Sequence, residues 1–230
     1  MQSKLKARGL FMLAAFVVVL VVIFMPVFPG SGKKVNGLDY MDNLFNMISK
    51  GSSYFIPKAI KDSEKFAGKM IDVKVAMKSD QQATETGKMM EVIGAQAAVS
   101  GKEVVVKGDM GLMLQASLVD ADFMFKNDGK PVADKYGIPE KNVMFNWHVL
   151  FGAIGKDLTK QEKFEEAKPF ANVQKKALEP SYNYFGVDAK NWQENLALII
   201  FALAFYVFYT LWYGFGLMWL FEGLGLKIGH

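Results

Sequence analysis

The sequence predicts a membrane α-helical protein, with two transmembrane helices and an inserted α+β, mostly helical domain outside the cytoplasm. Three observations lead there. Leu10 to Phe28 and Leu196 to Phe221 are long apolar stretches without a single charge. Between them runs a mixed polar segment long enough to bury a core of its own. Inside that segment the hydrophobic spacing switches between helical and strand periods.

At 1.5 Å per residue the first stretch is roughly 28 Å long and the second about 39 Å, against a hydrocarbon thickness of about 30 Å. Both can cross, the second with tilt or overhang. The expected plan is a cytoplasmic tail over 1–9, a transmembrane helix over 10–28 and a domain over 29–193. A second transmembrane helix over 194–222 and a tail over 223–230 complete it. The flank MQSKLKAR would also suit a signal peptide, but the apolar run exceeds a usual h-region and FPGSG is a poor cleavage site. A retained anchor is therefore expected. Lys4, Lys6 and Arg8 precede the first stretch and Lys227 follows the second. Basic flanks mark the cytoplasmic side, so both termini are expected there. The domain would then be extracytoplasmic: periplasmic, if the membrane is a bacterial inner (plasma) membrane. With so short a tail after the second stretch, no output domain is expected.

Composition narrows the chemistry. The absence of cysteine excludes disulfides, iron–sulfur clusters, c-type haem attachment and thiol catalysis. Residues 31–193 hold 23 lysines against 21 acidic residues, a near balance that gives no nucleic-acid surface. Arg8 is the only arginine, so the domain lacks the planar fork that grips phosphates and carboxylates.

Taken in order, the exit FPGSGKKVNG (28–37) reads as a flexible basic linker, broken by Pro29 and its glycines. Residues 38–49 have helical spacing, and GSS (51–53) interrupts it. Residues 56–71 resume a helix with Pro57 in its first turn. IDVKVAMK (71–78) alternates as a half-buried strand, 80–100 reads as a helix and KEVVVKG (102–108) as a second strand. That order fits a small βαβ unit with a parallel pair. Helices follow over 111–126, 130–137, 139–155 and 158–178. The last has Thr159 and Glu162 at capping-box spacing and Pro169 as a kink. Residues 179–188 form a turn, and Asp188 could cap a helix running straight into the second stretch.

Motifs that suggest chemistry fail on spacing. PGSGKK lacks the first glycine and the terminal Ser or Thr of a phosphate loop. DADFMFKNDGK, aligned on Gly129 as a calcium loop, would put Met124 and Lys135 at carboxylate positions. Asp120 and Asp122 are instead expected on the solvated side of a helix that ends in an Asn127-Asp128-Gly129 turn. The loop Gly108, Asp109, Met110 and Gly111, between a strand and a helix start, is a weak candidate for a small anion. His148 is alone in the domain and cannot make a zinc site. The methionines fall on apolar faces and read as core. No catalytic residue, metal site or cofactor is predicted.

The second apolar stretch carries ten rings between Phe201 and Phe221. At about 100° per residue, Phe201, Phe205, Phe208, Trp212, Phe215 and Trp219 form one stripe, and Tyr206, Tyr209 and Tyr213 a second beside it. An interfacial belt explains Trp219 but not Tyr206 and Tyr209, which fall in the middle of the stretch. A phenol there needs a hydrogen-bond partner. These nine residues are the predicted helix-packing surface. The first stretch lacks such a pattern and reads as a plain anchor. The expected function is a non-enzymatic structural or accessory subunit. Its partners would be membrane lipid and copies of itself or other membrane subunits, with no nucleic acid. The alternatives are an extracytoplasmic ligand-binding or sensing module signalling through a partner, and an accessory subunit of an electron-transfer or pigment complex.

Overall fold

The computed structural model describes residues 2–30 and 32–226, and Lys227, used for the expected orientation, lies outside them. The chain forms two compact units, residues 1–48 with 190–230, and residues 49–189.

The first unit holds the two helices that are long and apolar enough to cross a membrane: α1 (Gln2–Phe24) and α10 (Leu196–Gly223). Helix α1 stops earlier than its apolar run because Pro26 disfavours helical geometry at the residue before it. The exit expected to be a flexible linker pairs instead. Phe28–Pro29 (β1) is antiparallel to Lys34–Val35 (β2), with Phe28 opposite Val35. Helix α2 (Gly37–Ser52) begins in this unit and stops inside the GSS expected to interrupt it, at Ser52. Asn36 starts it, accepting from the Asp39 backbone N–H at 2.8 Å. No helix runs from Asp188 into α10. A short 3₁₀ turn, Gln193–Asn195, precedes it.

The second unit is α+β with one continuous core. Helix α3 (Ile56–Ser63) carries Pro57 in its first turn and passes through a 3₁₀ turn, Glu64–Phe66, into β3 (Met70–Ala76). After α4 (Asp80–Val92) come β4 (Gln96–Ser100) and β5 (Glu103–Asp109). The sheet corrects the expected βαβ unit. Its order is β3-β5-β4, and every pairing is antiparallel, with Val73 opposite Val106 and Ala97 opposite Val106 on the other side. Two glycines explain the difference. Gly94, at φ +83°, ends α4 with Ala95 N–H bonded back to Met90 O, a left-handed stop that frees the next residues for a strand. Gly101, at φ +56°, leads the two-residue turn joining β4 to β5. One face of β3 and β5 is buried, through Ile71, Val73, Val75, Val104 and Val106.

Helices α5 (Met110–Phe125), α6 (Lys130–Tyr136), α7 (Glu140–Lys160), α8 (Phe164–Val173) and α9 (Glu179–Asn183) complete the unit. Thr159 and Glu162 do not start a helix, as their spacing suggested. They finish α7: Thr159 Oγ1 donates to Gly155 O, and Glu162 takes the left-handed position at φ +60°. Pro169 sits inside α8, and a π-turn, Gln174–Leu178, follows. The core runs without a break from Ile56 to Leu178. Trp147, Phe151 and Phe170 meet edge to face at its centre, with centroids 5.4 and 4.9 Å apart.

Candidate functional site

The predicted surface on α10 meets α1, which the sequence had marked as a plain anchor. The helices run antiparallel, and glycines set their distance. A Cβ on Gly9 would lie 2.5 Å from the backbone nitrogen of Leu220, and one on Gly223 would overlap the backbone of Lys6. A Cβ on Gly216 would come within 3.5 Å of Met12 Cβ. Such small positions let two helix backbones approach where larger side chains would hold them apart.

Two ring donors use that proximity. Tyr209 donates its hydroxyl to Phe16 O at 3.2 Å, and Trp212 donates Nε1–H to Met12 O at 3.1 Å. A carbonyl has two lone pairs, so each oxygen can accept a ring donor as well as a helix N–H. The Phe16 ring stacks on Tyr209 at 4.1 Å and lies 5.1 Å from Tyr213. Phe205 stacks on Tyr209 at 5.4 Å and on Phe201 at 6.1 Å. Trp219 lies 6.2 Å from Phe215 and takes the Arg8 guanidinium over its face at 5.0 Å.

The nine rings thus divide. Tyr209, Trp212 and Trp219 are partly covered. Phe201, Tyr206 and Phe208 remain 65–71 % exposed. Among the described residues the Tyr206 hydroxyl has no hydrogen-bond partner, although Tyr209 three residues on is satisfied.

The loop Gly108 to Gly111 is occupied by its own carboxylate. Asp109 Oδ1 accepts from Gly111 N at 2.8 Å and Leu112 N at 3.3 Å, and Oδ2 accepts from Gly68 N at 2.8 Å. Met110 is fully buried, and a Cβ on Gly111 would lie 2.6 Å from Ala67. An anion arriving here would have to displace the helix cap.

Two polar centres in the second unit were not foreseen. Asp120, expected on a solvated face, is 1 % exposed. Its carboxylate accepts from Tyr136 Oη at 2.6 Å, Trp147 Nε1 at 2.9 Å and Lys135 Nζ at 2.9 Å. Burial and the adjacent Asp120 push the Tyr136 phenol far above its usual range. Asp122 does face outward, accepting from Tyr54 Oη and Lys126 Nζ, each at 2.6 Å. A signal was present in the sequence: at helical spacing Asp120 shares a face with Met113, Ser117 and Met124, all buried, whereas Asp122 lies beside the exposed Val119 and Phe123.

The second centre is Lys50, only 2 % exposed. Its ammonium donates to Asn127 Oδ1 at 2.8 Å, Tyr184 O at 3.0 Å and Val187 O at 2.6 Å. Asn127, left-handed at φ +63° where α5 ends, also donates to Val187 O and accepts from Gly186 N. Burial lowers the Lys50 pKa, and Asp188 opposes that shift. This cluster ties the first residues of the unit to its last. No local pattern in the sequence distinguishes Lys50 from its neighbours.

His148 lies against Gln174, with Glu179 3.9 Å from Nδ1. Among the described residues no group of three His, Cys, Asp or Glu side chains could hold a metal ion. No protein-family model matches the chain, and neither a curated protein nor a solved structure does.

Proposed function

We propose that this chain is a non-enzymatic membrane subunit, in which α1 and α10 cross the membrane as an antiparallel pair and the second unit stands outside the cytoplasm. The exposed rings of α10 join it to further copies or to other membrane subunits. The reading assigns it no reaction, metal or cofactor. The observation that carries it is the contrast between Tyr209 and Tyr206. Helix α1 satisfies the first phenol and leaves the second, flanked by Phe201 and Phe208, exposed on an apolar helix. In hydrocarbon an unpaired hydroxyl is costly, whereas a neighbouring helix can accept from it.

The antiparallel pairing supports the orientation. It sets Lys6 beside Gly223, so the basic start of α1 and the end of α10 share one side. Native electrophoresis and mass photometry of the full chain in nanodiscs test the assembly. The wild type is expected as an oligomer or complex, and Tyr206→Phe with Phe208→Ala as a smaller species. A wild type that is monomeric and alone refutes the reading. Labelling a cysteine at Lys102, in the exposed β4–β5 turn, with an impermeant thiol reagent in spheroplasts tests the orientation. Protection from the reagent would place the domain on the other side.

A further inference from the structure

Helix α3, the 3₁₀ turn after it, α8 and the π-turn enclose a cleft of about 530 Å³ in the second unit. That is the size of a small-molecule site. Phe55, 49 % exposed, and the half-buried Ala59 and Phe66 give it apolar walls, behind which Leu114, Pro169 and Val173 are buried. Its charges are unequal: Lys58, Lys65, Lys168 and Lys176 stand against Asp62 and Glu165, an excess of two positive charges. Glu165 is already taken by Lys168 at 2.6 Å. Lys65 lies over the Phe66 ring at 5.1 Å. Among the described residues Lys58, Lys65 and Lys176 form no ion pair.

The wall that carries Lys176 is the π-turn Gln174–Leu178. Such turns are rare in helices and recur at functional sites, because the extra residue re-aims the side chains around it. The Glu165 carboxyl reports the local field. Lys168 holds it below the ordinary carboxylate range, and Lys65 and Lys69 add to the effect. The cleft thus pairs apolar walls with uncompensated ammonium groups. It lacks guanidinium forks, the usual bidentate grip on phosphate.

We propose that this cleft binds a carboxylate-headed amphiphile of the fatty-acid type. Its hydrocarbon lies along Phe55, Ala59 and Phe66, and its head meets Lys58, Lys65 and Lys176. The proposal goes beyond the assembly reading and does not depend on it.

The test uses the full chain in phosphatidylcholine nanodiscs and a diazirine-bearing palmitic acid, with the matching diazirine alcohol as control. Irradiation and peptide mapping should show the acid on residues 55–66 and 169–176. The alcohol should label them about tenfold less, the worth of a charged hydrogen bond. Helices α1 and α10 should react with both probes and serve as an internal standard. Lys58→Gln with Lys176→Gln should lower cleft labelling by about tenfold while leaving α1 and α10 labelling and the far-UV spectrum unchanged. Decanoate should displace the probe better than decyl phosphate. Equal labelling by acid and alcohol, no effect of the double substitution, or equal displacement by the phosphate would each overturn the proposal.

Discussion

Asp120 gives the sharpest test of how the second unit is held together. Truncation to alanine removes a carboxylate that is 1 % exposed and accepts from three donors. Lys135 is a third exposed at its side chain and can turn to water, so its loss costs little. The Tyr136 hydroxyl and the Trp147 indole N–H cannot, because both residues are at most 1 % exposed. Each stranded donor costs about 1–3 kcal/mol, and breaking a buried charged network falls in the same total range of about 3–5 kcal/mol. We therefore expect Asp120→Ala to destabilise the unit by about 4 kcal/mol, or about 8–16 °C in Tm for a unit of this size. Asparagine keeps the shape and one acceptor, so Asp120→Asn should cost roughly half as much. The assay is thermal and urea unfolding of the full chain in detergent, followed by far-UV circular dichroism. A double substitution isolates the mechanism. Tyr136→Phe should be costly in the wild type and nearly neutral in the Asp120→Ala background, where it removes a stranded donor. A shift below about 3 °C for Asp120→Ala, or equal costs of Tyr136→Phe in both backgrounds, would refute the reasoning.

Met12→Cys with Gly216→Cys should oxidise quantitatively to an intrachain disulfide, because their Cβ atoms would lie 3.5 Å apart and the chain has no other thiol. Gly9→Val should abolish that cross-link, read as a gel shift on reduction. Lys50→Met should raise amide hydrogen exchange across Tyr184–Asp188 and cost about 1.5–3 kcal/mol, since it removes a charged donor shared by Asn127 Oδ1, Tyr184 O and Val187 O and leaves each with a single remaining donor. The Tyr136 and Tyr54 phenols are both held above the ordinary 10.0, each by burial first and then by its aspartate. Above pH 10 the unfolded chain releases these protons while the folded chain keeps them, so stability is complete below pH 10 and falls as pH rises past it. Replacing both residues with phenylalanine should flatten that alkaline decline in urea titrations.

Much of the fold was legible because the helices are bounded by residues with few alternatives. Pro57, Pro139 and Gly137 mark their ends in the sequence as they do in the structure. The strand alternation over 71–76 reproduces the buried face of β3 residue for residue. The errors came where one residue type admits two roles. Gly94 inside an apolar run reads equally as a tolerated helical glycine or a stop, and its left-handed φ makes it a stop. Thr159 and Glu162 fit a capping box, but a capping box needs a helix start, and here α7 runs through Thr159 and ends at Lys160, with Glu162 just past it. Pairing partners were beyond local reading altogether. Gly9 attracts no notice until the backbone of Leu220 and Gly216 stands opposite it. The valines of α1 gave no sign that the carbonyls of Met12 and Phe16 would receive ring donors.

The rings of α10 then divide into two groups that need different explanations. Those centred on Tyr209 and Trp212 are accounted for by α1, since close backbones and two hydrogen bonds make aromatic donors preferable to leucine there. The same account does not extend to Tyr206, Phe201 and Phe208, which α1 leaves exposed. Leucine at those positions would give comparable apolar surface, better helix propensity and no hydroxyl to satisfy. A phenol is the worse choice for a bare lipid-facing position in the middle of a helix, and the better choice only where a second acceptor is within reach. If copies assemble as proposed, that acceptor is a carbonyl or side-chain oxygen of a neighbouring helix. Tyr206→Leu and Tyr206→Phe should then weaken assembly alike, because both remove the donor. Tyr206→Leu alone would do so if the ring, rather than the hydroxyl, made the contact.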